Sequence, residues 1–284
     1  MTTNLERLRR TFDRELLKGI DPQRGSLEAA IHYALSVGGK RVRPLLFLTL
    51  LEAHGITSAP YLGVACALEM IHTYSLIHDD LPAMDDDDWR RGWPTVHKKF
   101  NEAVALLAGD TLLTYAFERL VLTRLPPRQA VAIIAIITRS IGKDGMAGGQ
   151  TLDLEFHGEA EAVERIHRMK TAELIKGTFL AAAEIIHMNA RRKRMLAEAG
   201  VEIGIAFQLA DDLLDIVGDE KEVGKKLRKD MLNRSPNAAL IFGSKPVRTE
   251  MAARYRRALA IFKELGITYP PFLRLIRGMV VRSK

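Results

Sequence analysis

The stretch Val201-Glu202-Ile203-Gly204-Ile205-Ala206-Phe207-Gln208-Leu209-Ala210-Asp211-Asp212-Leu213-Leu214-Asp215-Ile216-Val217 is too evenly apolar for a loop, and no proline interrupts it. A helix advances about 100° per residue, so Asp211 and Asp215, four apart, share one face, and Gln208 lies a turn earlier on nearly the same stripe. Apolar residues flank that polar stripe, so the pattern predicts a packed helix presenting carboxylates along one edge.

Outward from this stretch the chain reads as helix after helix. The predicted helices are Leu5 to Lys18, Ser26 to Val37 with Ser26 as N-cap, Pro44 to Ala53 opening on proline, Pro60 to Asp80, and Asn101 to Thr123 with Asn101 as N-cap. They continue with Pro127 to Ile141, Ala162 to His187, Ala190 to Val217, Asn237 to Phe242, Thr249 to Leu265 and Pro271 to Val281. No alternating strand emerges from the same scan. Ala103, Leu106, Leu107, Leu112, Leu113, Ala116, Phe117 and Leu120 recur at helical spacing and, with Ile175 to Ile186, predict buried central helices. The expectation is an all-α protein, one large helical bundle in which both acidic clusters face a common cavity from opposing helices.

Composition agrees with a single domain over residues 1–284. Hydrophobic residues make up 47% and charged residues 27%, and no linker or low-complexity tract separates the elements. Cys66 is the only cysteine, so no intramolecular disulfide forms; it reads as a buried thiol in a reducing cytosol. The longest apolar run, Ala130 to Ile137, falls far short of a membrane span, and the N-terminus lacks a signal-peptide core, so a cytoplasmic protein is expected. The net charge is +7, but the runs Arg191-Arg192-Lys193-Arg194 and Arg254 to Arg257 belong to no recognised binding module, and a basic helix face is more often only solvated, which argues against nucleic acid as a partner.

A second acidic cluster, His78-Asp79-Asp80-Leu81-Pro82-Ala83-Met84-Asp85-Asp86-Asp87-Asp88, runs straight into Trp89-Arg90-Arg91-Gly92. The helix before it reaches Asp79 and Asp80, and Pro82 then disturbs it; His72, Ser75 and Asp79 share a face. Carboxylates crowded this closely repel one another unless cations neutralise them. Mg²⁺ takes oxygen ligands and is usually held by a few carboxylates together with substrate phosphates, so the pattern asks for a diphosphate.

Taken in order, several landmarks resemble the trans-isoprenyl diphosphate synthases, most nearly the bacterial farnesyl diphosphate synthases. They are Gly38-Gly39-Lys40-Arg41-Val42-Arg43-Pro44, His72 to Asp80, Gly148-Gly149-Gln150-Thr151-Leu152-Asp153, Lys170-Thr171, Phe207-Gln208 with Asp211 to Asp215, and Gly224-Lys225. The resemblance implies an isoprenoid-synthase bundle around a deep cavity, working as a homodimer. Its reaction is head-to-tail condensation of isopentenyl diphosphate with an allylic diphosphate. It implies Mg²⁺, in several ions bridging the allylic diphosphate, on Asp79, Asp80, Asp85, Asp211 and Asp215. Arg90, Lys170 and Lys225 would hold the allylic diphosphate, and Gly39, Lys40, Arg43, His72 and Arg91 the isopentenyl diphosphate. Lys170, the Thr171 carbonyl and the Gln208 amide oxygen would act as dipoles near the allylic cation.

Tyr74 and Ser75 lie five and four residues before Asp79, roughly 6 to 8 Å down the helix, where a Tyr can floor a tunnel. In the family an aromatic residue there accompanies a fifteen-carbon product. Ten- and twenty-carbon synthases are the rival enzymes; a terpene cyclase fits less well because its second metal motif is usually rich in Asn, Ser and Glu and the pocket of Lys40, Arg43 and Arg91 would be idle, and a regulatory subunit of a heteromeric synthase because both acidic clusters are complete. One stretch departs from the family pattern: after Gly224-Lys225 the customary second lysine is Ser235, and Arg234 stands beside it.

Overall fold

The computed structural model describes residues 4–217 and 236–281. The elements in order are α1 (Asn4–Leu16), α2 (Ser26–Ser36), α3 (Val42–Ala53), a single 3₁₀ turn, α4 (Leu62–Asp79), β1 (Trp89–Arg90), β2 (Trp93–Pro94), α5 (Val96–Lys99) and α6 (Glu102–Leu122). There follow α7 (Pro127–Ile141), α8 (Met146–Leu154), α9 (Ala160–His167), a π-turn (Arg168–Ala172), α10 (Glu173–Ile185), α11 (Ala190–Val217), α12 (Ala238–Phe242), α13 (Ser244–Glu264) and α14 (Pro270–Val280). The all-α expectation holds. Contacts divide the chain into two compact units: one runs to Leu48 and resumes over Ser58–Pro126, the other takes Thr49–Thr57 and everything from Pro127.

The first unit is organised on α4, which is apolar almost all round: Val64, Ala65, Cys66, Ala67, Leu68, Met70 and Ile71 are all fully buried. Such a helix must be packed on every side. Its tightest neighbour is α6, which runs antiparallel to it, with small residues at both ends of the contact. A Cβ on Gly63 would lie 3.0 Å from the Arg119 carbonyl, and one on Gly109 would lie 2.1 Å from His78 Nε2. α6 supplies Ala105, Ala108, Gly109, Leu112, Ala116 and Leu120 to this seam, a helical stripe of mostly small side chains.

In the second unit α11 packs on α10 and α13, and a ring cluster of Phe179, Phe262 and Phe272, with centroids 5.1 to 5.9 Å apart, closes the core. The π-turn is gripped from two sides by glycines. A Cβ on Gly149 of α8 would lie 2.2 Å from the Lys170 amide nitrogen, and one on Gly204 of α11 would lie 2.4 Å from Ala172 Cα. Neither neighbour is a flexible side-chain tip, so backbone approaches backbone and only glycine fits.

Several sequence expectations need correction. Gly25 with φ 138° stands at the N-cap before Ser26, whereas Asn101 does cap α6, accepting from the Val104 amide at 2.8 Å. α3 starts at Val42, which places Pro44 inside the first turn where its missing N–H costs nothing. The single helix expected over Ala162 to His187 is split by the π-turn, and α8 was not expected at all, because two glycines weaken its helical signal. A two-residue hairpin, Trp89 opposite Pro94 and Arg90 opposite Trp93, replaces the absence of strand; it is too short to show alternation. Leu106 and Leu107, expected in the core, are 48% and 54% exposed, and Ala103 is exposed too, because α6 turns its small-residue stripe toward α4.

The glycine approach in the second unit makes a stability prediction. Gly204→Ala drives a methyl into Ala172 and should lower unfolding free energy by about 1–3 kcal/mol, as overpacking does, despite alanine's better helix propensity; urea unfolding of the variant measures it.

Candidate active site

In the first unit α4 ends at Asp79, and Asp80 caps it, its amide bonded to the Leu76 carbonyl at 3.1 Å. The carboxylates therefore sit at the negative end of a helix dipole, which raises the demand for cations. Beyond Pro82 the chain doubles back: the Asp85 amide donates to the Asp79 carbonyl at 2.9 Å and the Asp87 amide to the Asp80 carbonyl at 3.2 Å. The acidic run is thus a tight loop folded over the helix end.

The hairpin turn that follows has Arg91 at φ 56° and Gly92 at φ 79°, the paired positive values a two-residue hairpin loop of this hand requires. It sends the two arginines to different places. Arg90 returns to Asp80, with Nε and Nη2 both 2.6 Å from Oδ1, and lies 3.5 Å from Asp87. Arg91 donates to the Gly38 carbonyl, and its guanidinium lies where a Gly39 Cβ would be, which explains a glycine with φ 138° at that position.

His72, about two turns before Asp79, is half-buried, and its imidazole pKa is held well below the usual value by burial and then by the positive field of Arg43, Arg91, Arg90 and Arg41. The expected isopentenyl-diphosphate residues Gly39, Arg43, His72 and Arg91 therefore do gather, with Lys40 exposed on the same loop. Burial and the neighbouring guanidinium groups act in the same direction on His72, both disfavouring its charged form. Ser75 donates to the His72 carbonyl at 3.0 Å. Tyr74 meets His78 edge-on at 5.8 Å; its hydroxyl is pushed up to about 12 by burial and by Asp79.

In the second unit the π-turn presents Lys170 and Thr171; single-turn π-bulges inside helices are frequent at functional sites. Lys170 is ion-paired to Asp153 of α8. The Thr171 hydroxyl donates to Gln208 Oε1 at 3.0 Å, and Gln208 Nε2 donates to Asp212 Oδ1 at 3.2 Å. A carboxylate accepts only, so Asp212 decides which end of the amide faces Thr171. Asp212 Oδ2 accepts from the Ala238 amide at 2.8 Å and lies 3.3 Å from His167 Nε2. Asp211 is half-exposed on the neighbouring face, and Asp215 is buried. Gly224, Lys225, Arg234 and Ser235 lie outside the described residues.

The residues expected to bind Mg²⁺ offer carboxylate oxygen alone, the donor type this hard cation takes, and in kind they fit it. Among the described residues no three carboxylate, imidazole or thiol groups converge on one point, and Asp80 is turned to Arg90. Sequence reading missed Asp153, His167, Asp212 and Arg41 as working parts. Asp153 closes the Gly148 to Asp153 landmark and Asp212 sits inside the second cluster, so position gave a signal for those two; His167 gave none.

Taken together, the all-helical fold, the two aspartate groups and the arginine cluster describe a protein built to hold diphosphates. The family model of polyprenyl synthetase matches residues 24–263. A farnesyl diphosphate synthase of Geobacillus stearothermophilus is 47% identical over 213 residues, covering 73% of this chain and 72% of its own. Among solved structures, a geranyltransferase from Legionella pneumophila superposes with TM-score 0.85 at 32% identity, over 98% of this chain and 96% of its own. A geranyltransferase from Helicobacter pylori, complexed with magnesium and isoprenyl diphosphate, gives 0.83 at 28% identity over 99% and 97%. The chain belongs to the polyprenyl synthetase family.

The depressed His72 pKa has a direct consequence. The unfolded imidazole takes a proton near pH 6.5 while the native one does not, so the contribution of this group is intact above about pH 6.5 and is lost as pH falls below it. Urea unfolding between pH 7.5 and 5.5 should show a shallower fall in stability for His72→Gln than for the wild type.

Proposed function

We propose that this chain is a trans-prenyltransferase that condenses isopentenyl diphosphate with dimethylallyl or geranyl diphosphate to make farnesyl diphosphate, with residues 1–284 as one catalytic domain. The observation that carries the reading is the arginine cluster, with Arg91 on the Gly38 carbonyl, Arg90 on Asp80 and Arg41 held by Glu69 and Asp13, beside the folded loop of Asp79 to Asp88. An excess of guanidinium groups beside crowded carboxylates suits a diphosphate in one place and its counter-cation in the other.

In this reading Lys40, Arg43, His72 and Arg91 bind isopentenyl diphosphate, and Arg90, Lys170 and Lys225 bind the allylic diphosphate, donating N–H to phosphate oxygens. Asp79, Asp80, Asp85, Asp211 and Asp215 would hold Mg²⁺, which supplies Lewis acidity toward the charge growing on the departing group. The allylic carbon–oxygen bond breaks with its electron pair leaving on diphosphate. The double bond of isopentenyl diphosphate then bonds to the allylic cation, and a proton is lost, with the released diphosphate as the base. Gln208, its amide oriented by Thr171 and Asp212, presents a carbonyl dipole to the cation, as does the Thr171 backbone, and packed helices keep water from quenching it.

A homodimer is part of the proposal, supported by the exposed Leu106 and Leu107 on α6, an apolar row that a second copy would cover. A cytoplasmic setting is part of the proposal, consistent with the free, buried Cys66 thiol; no described helix is long and apolar enough to cross a membrane.

Two experiments test the reading. Asp79→Asn and Asp211→Asn should each lower turnover by more than about a hundredfold while the protein stays folded, because each removes charge where diphosphate leaves; wild-type rates in Mg²⁺ buffer with both substrates would end the assignment. Tyr74→Ala tests product length. If Tyr74 floors the tunnel, removing it lets each added isoprene unit bury about five carbons at roughly 0.8 kcal/mol each, so products of twenty carbons and more should appear on chromatography. Unchanged products with stability lowered by about 3–5 kcal/mol would make Tyr74 a core residue instead.

A further inference from the structure

The loop from Gly38 to Arg43 carries the basic residues assigned above to isopentenyl diphosphate, yet one of its arginines points away from solvent. Arg41 is 5% exposed and has φ 49°, a left-handed conformation that a non-glycine residue holds only when its surroundings over-determine it. They do so here from three directions. Nη1 donates to Glu69 Oε1 at 2.8 Å, Nε donates to Asp13 Oδ1 at 3.0 Å, and Nη2 donates to the Leu35 carbonyl.

Each partner leads back to the same pocket. Glu69, 1% exposed, lies on α4 one turn before His72. Asp13 lies on α1 together with Arg9, which donates to the Gly39 carbonyl at 2.9 Å. The Gly38 carbonyl meanwhile accepts from Arg91. The loop is therefore fixed by α1 at Gly39, by the hairpin at Gly38, and by α4 and α1 through Arg41. The negative charge of Glu69 acts on Arg91 as well as on Arg41, within a group where the arginines repel one another.

We propose that Arg41, clamped by Glu69 and Asp13, is a positioning residue for the isopentenyl diphosphate pocket, and that Glu69 is the internal counter-charge that allows Arg41, Arg43, Arg90 and Arg91 to be crowded before substrate arrives. The proposal rests on the substrate assignment given above. Arg41 itself does not touch substrate, because its guanidinium is buried and spent on protein acceptors. The first helix is by the same argument a working part of the site, reaching the loop through Arg9 and Asp13.

The test is a split between Michaelis constants. Arg41→Lys keeps the charge but loses the forked geometry, and should raise the constant for isopentenyl diphosphate about tenfold, with that for geranyl diphosphate within about twofold. Asp13→Asn, at the more exposed end of the clamp, should raise it about threefold in the same selective way. Glu69→Gln leaves a buried guanidinium short of its counter-charge, a change that works against folding itself, so the paired variant Arg41→Met/Glu69→Met removes both charges and keeps the bulk. It should melt near the wild type and still show the raised constant for isopentenyl diphosphate. A paired variant with wild-type constants, or equal rises for both substrates in the folded single variants, would reduce the clamp to a structural pair. If the wild type turns over neither substrate, the assignment fails and the proposal with it; an active wild type with insensitive variants overturns the proposal alone.

Discussion

The ion pair between Arg90 and Asp80 is the interaction on which the first unit's site depends. Asp79 and Asp80 end a helix whose dipole already places partial negative charge there, and more acids follow within the same loop. Two guanidinium nitrogens at 2.6 Å offset part of that repulsion, and the acids in turn hold the Arg90 pKa above its usual value despite the cost of burial. Delivering Arg90 needs a chain reversal within a few residues, and the loop beyond Pro82 provides it, where the Asp85 and Asp87 amides return to the Asp79 and Asp80 carbonyls. The hairpin turn at Arg91 and Gly92 follows at once. Residues on either side of such a tight turn leave in different directions, so two consecutive arginines serve two places: Arg90 the carboxylates, Arg91 the Gly38–Gly39 loop.

The second unit solves a related problem by close packing. Lys170 and Thr171 must face polar partners while the backbone beneath them stays buried. The π-turn rotates them relative to α9 and α10, and Gly149 and Gly204 allow α8 and α11 to close on that turn. Once the backbones are in contact, the side chains have little choice of partner. Lys170 meets Asp153, and Thr171 meets Gln208, whose amide is in turn oriented by Asp212.

What was legible in the sequence follows from which features obey a period. α4 and α11 were plain because apolar residues fill them without breakers, and Asn101 announced α6 by cap chemistry. The stripe on α6 was legible as helix but not as orientation, since Ala105, Ala108 and Gly109 outcompete Leu106 and Leu107 for the seam only because a small face brings α4 closer. α8 and the π-turn were illegible for one shared reason: glycines that look like helix breakers serve as contact points between backbones. The residues of the arginine cluster were readable through a family resemblance, whereas nothing in the sequence set Arg41 apart from its basic neighbours Lys40 and Arg43. Its burial depends on Asp13 and Glu69, each 28 residues away in the chain.

The two aspartate pairs show how a single helical step divides labour. Adjacent residues on a helix point about 100° apart, so two consecutive carboxylates cannot share an environment. Asp80, 3% exposed, is the one turned to Arg90, while Asp79 before it is half-exposed. In α11 the same order recurs: Asp212, 2% exposed, is bonded to Gln208 and the Ala238 amide and faces His167, while Asp211 before it is half-exposed. A buried carboxylate is tolerable only with such partners, because the desolvation of an isolated charge is too costly. The partners also fix the carboxylate's direction, and through one peptide unit the direction of its neighbour. In each pair the second aspartate is the anchored member, and its anchoring leaves the first half-exposed.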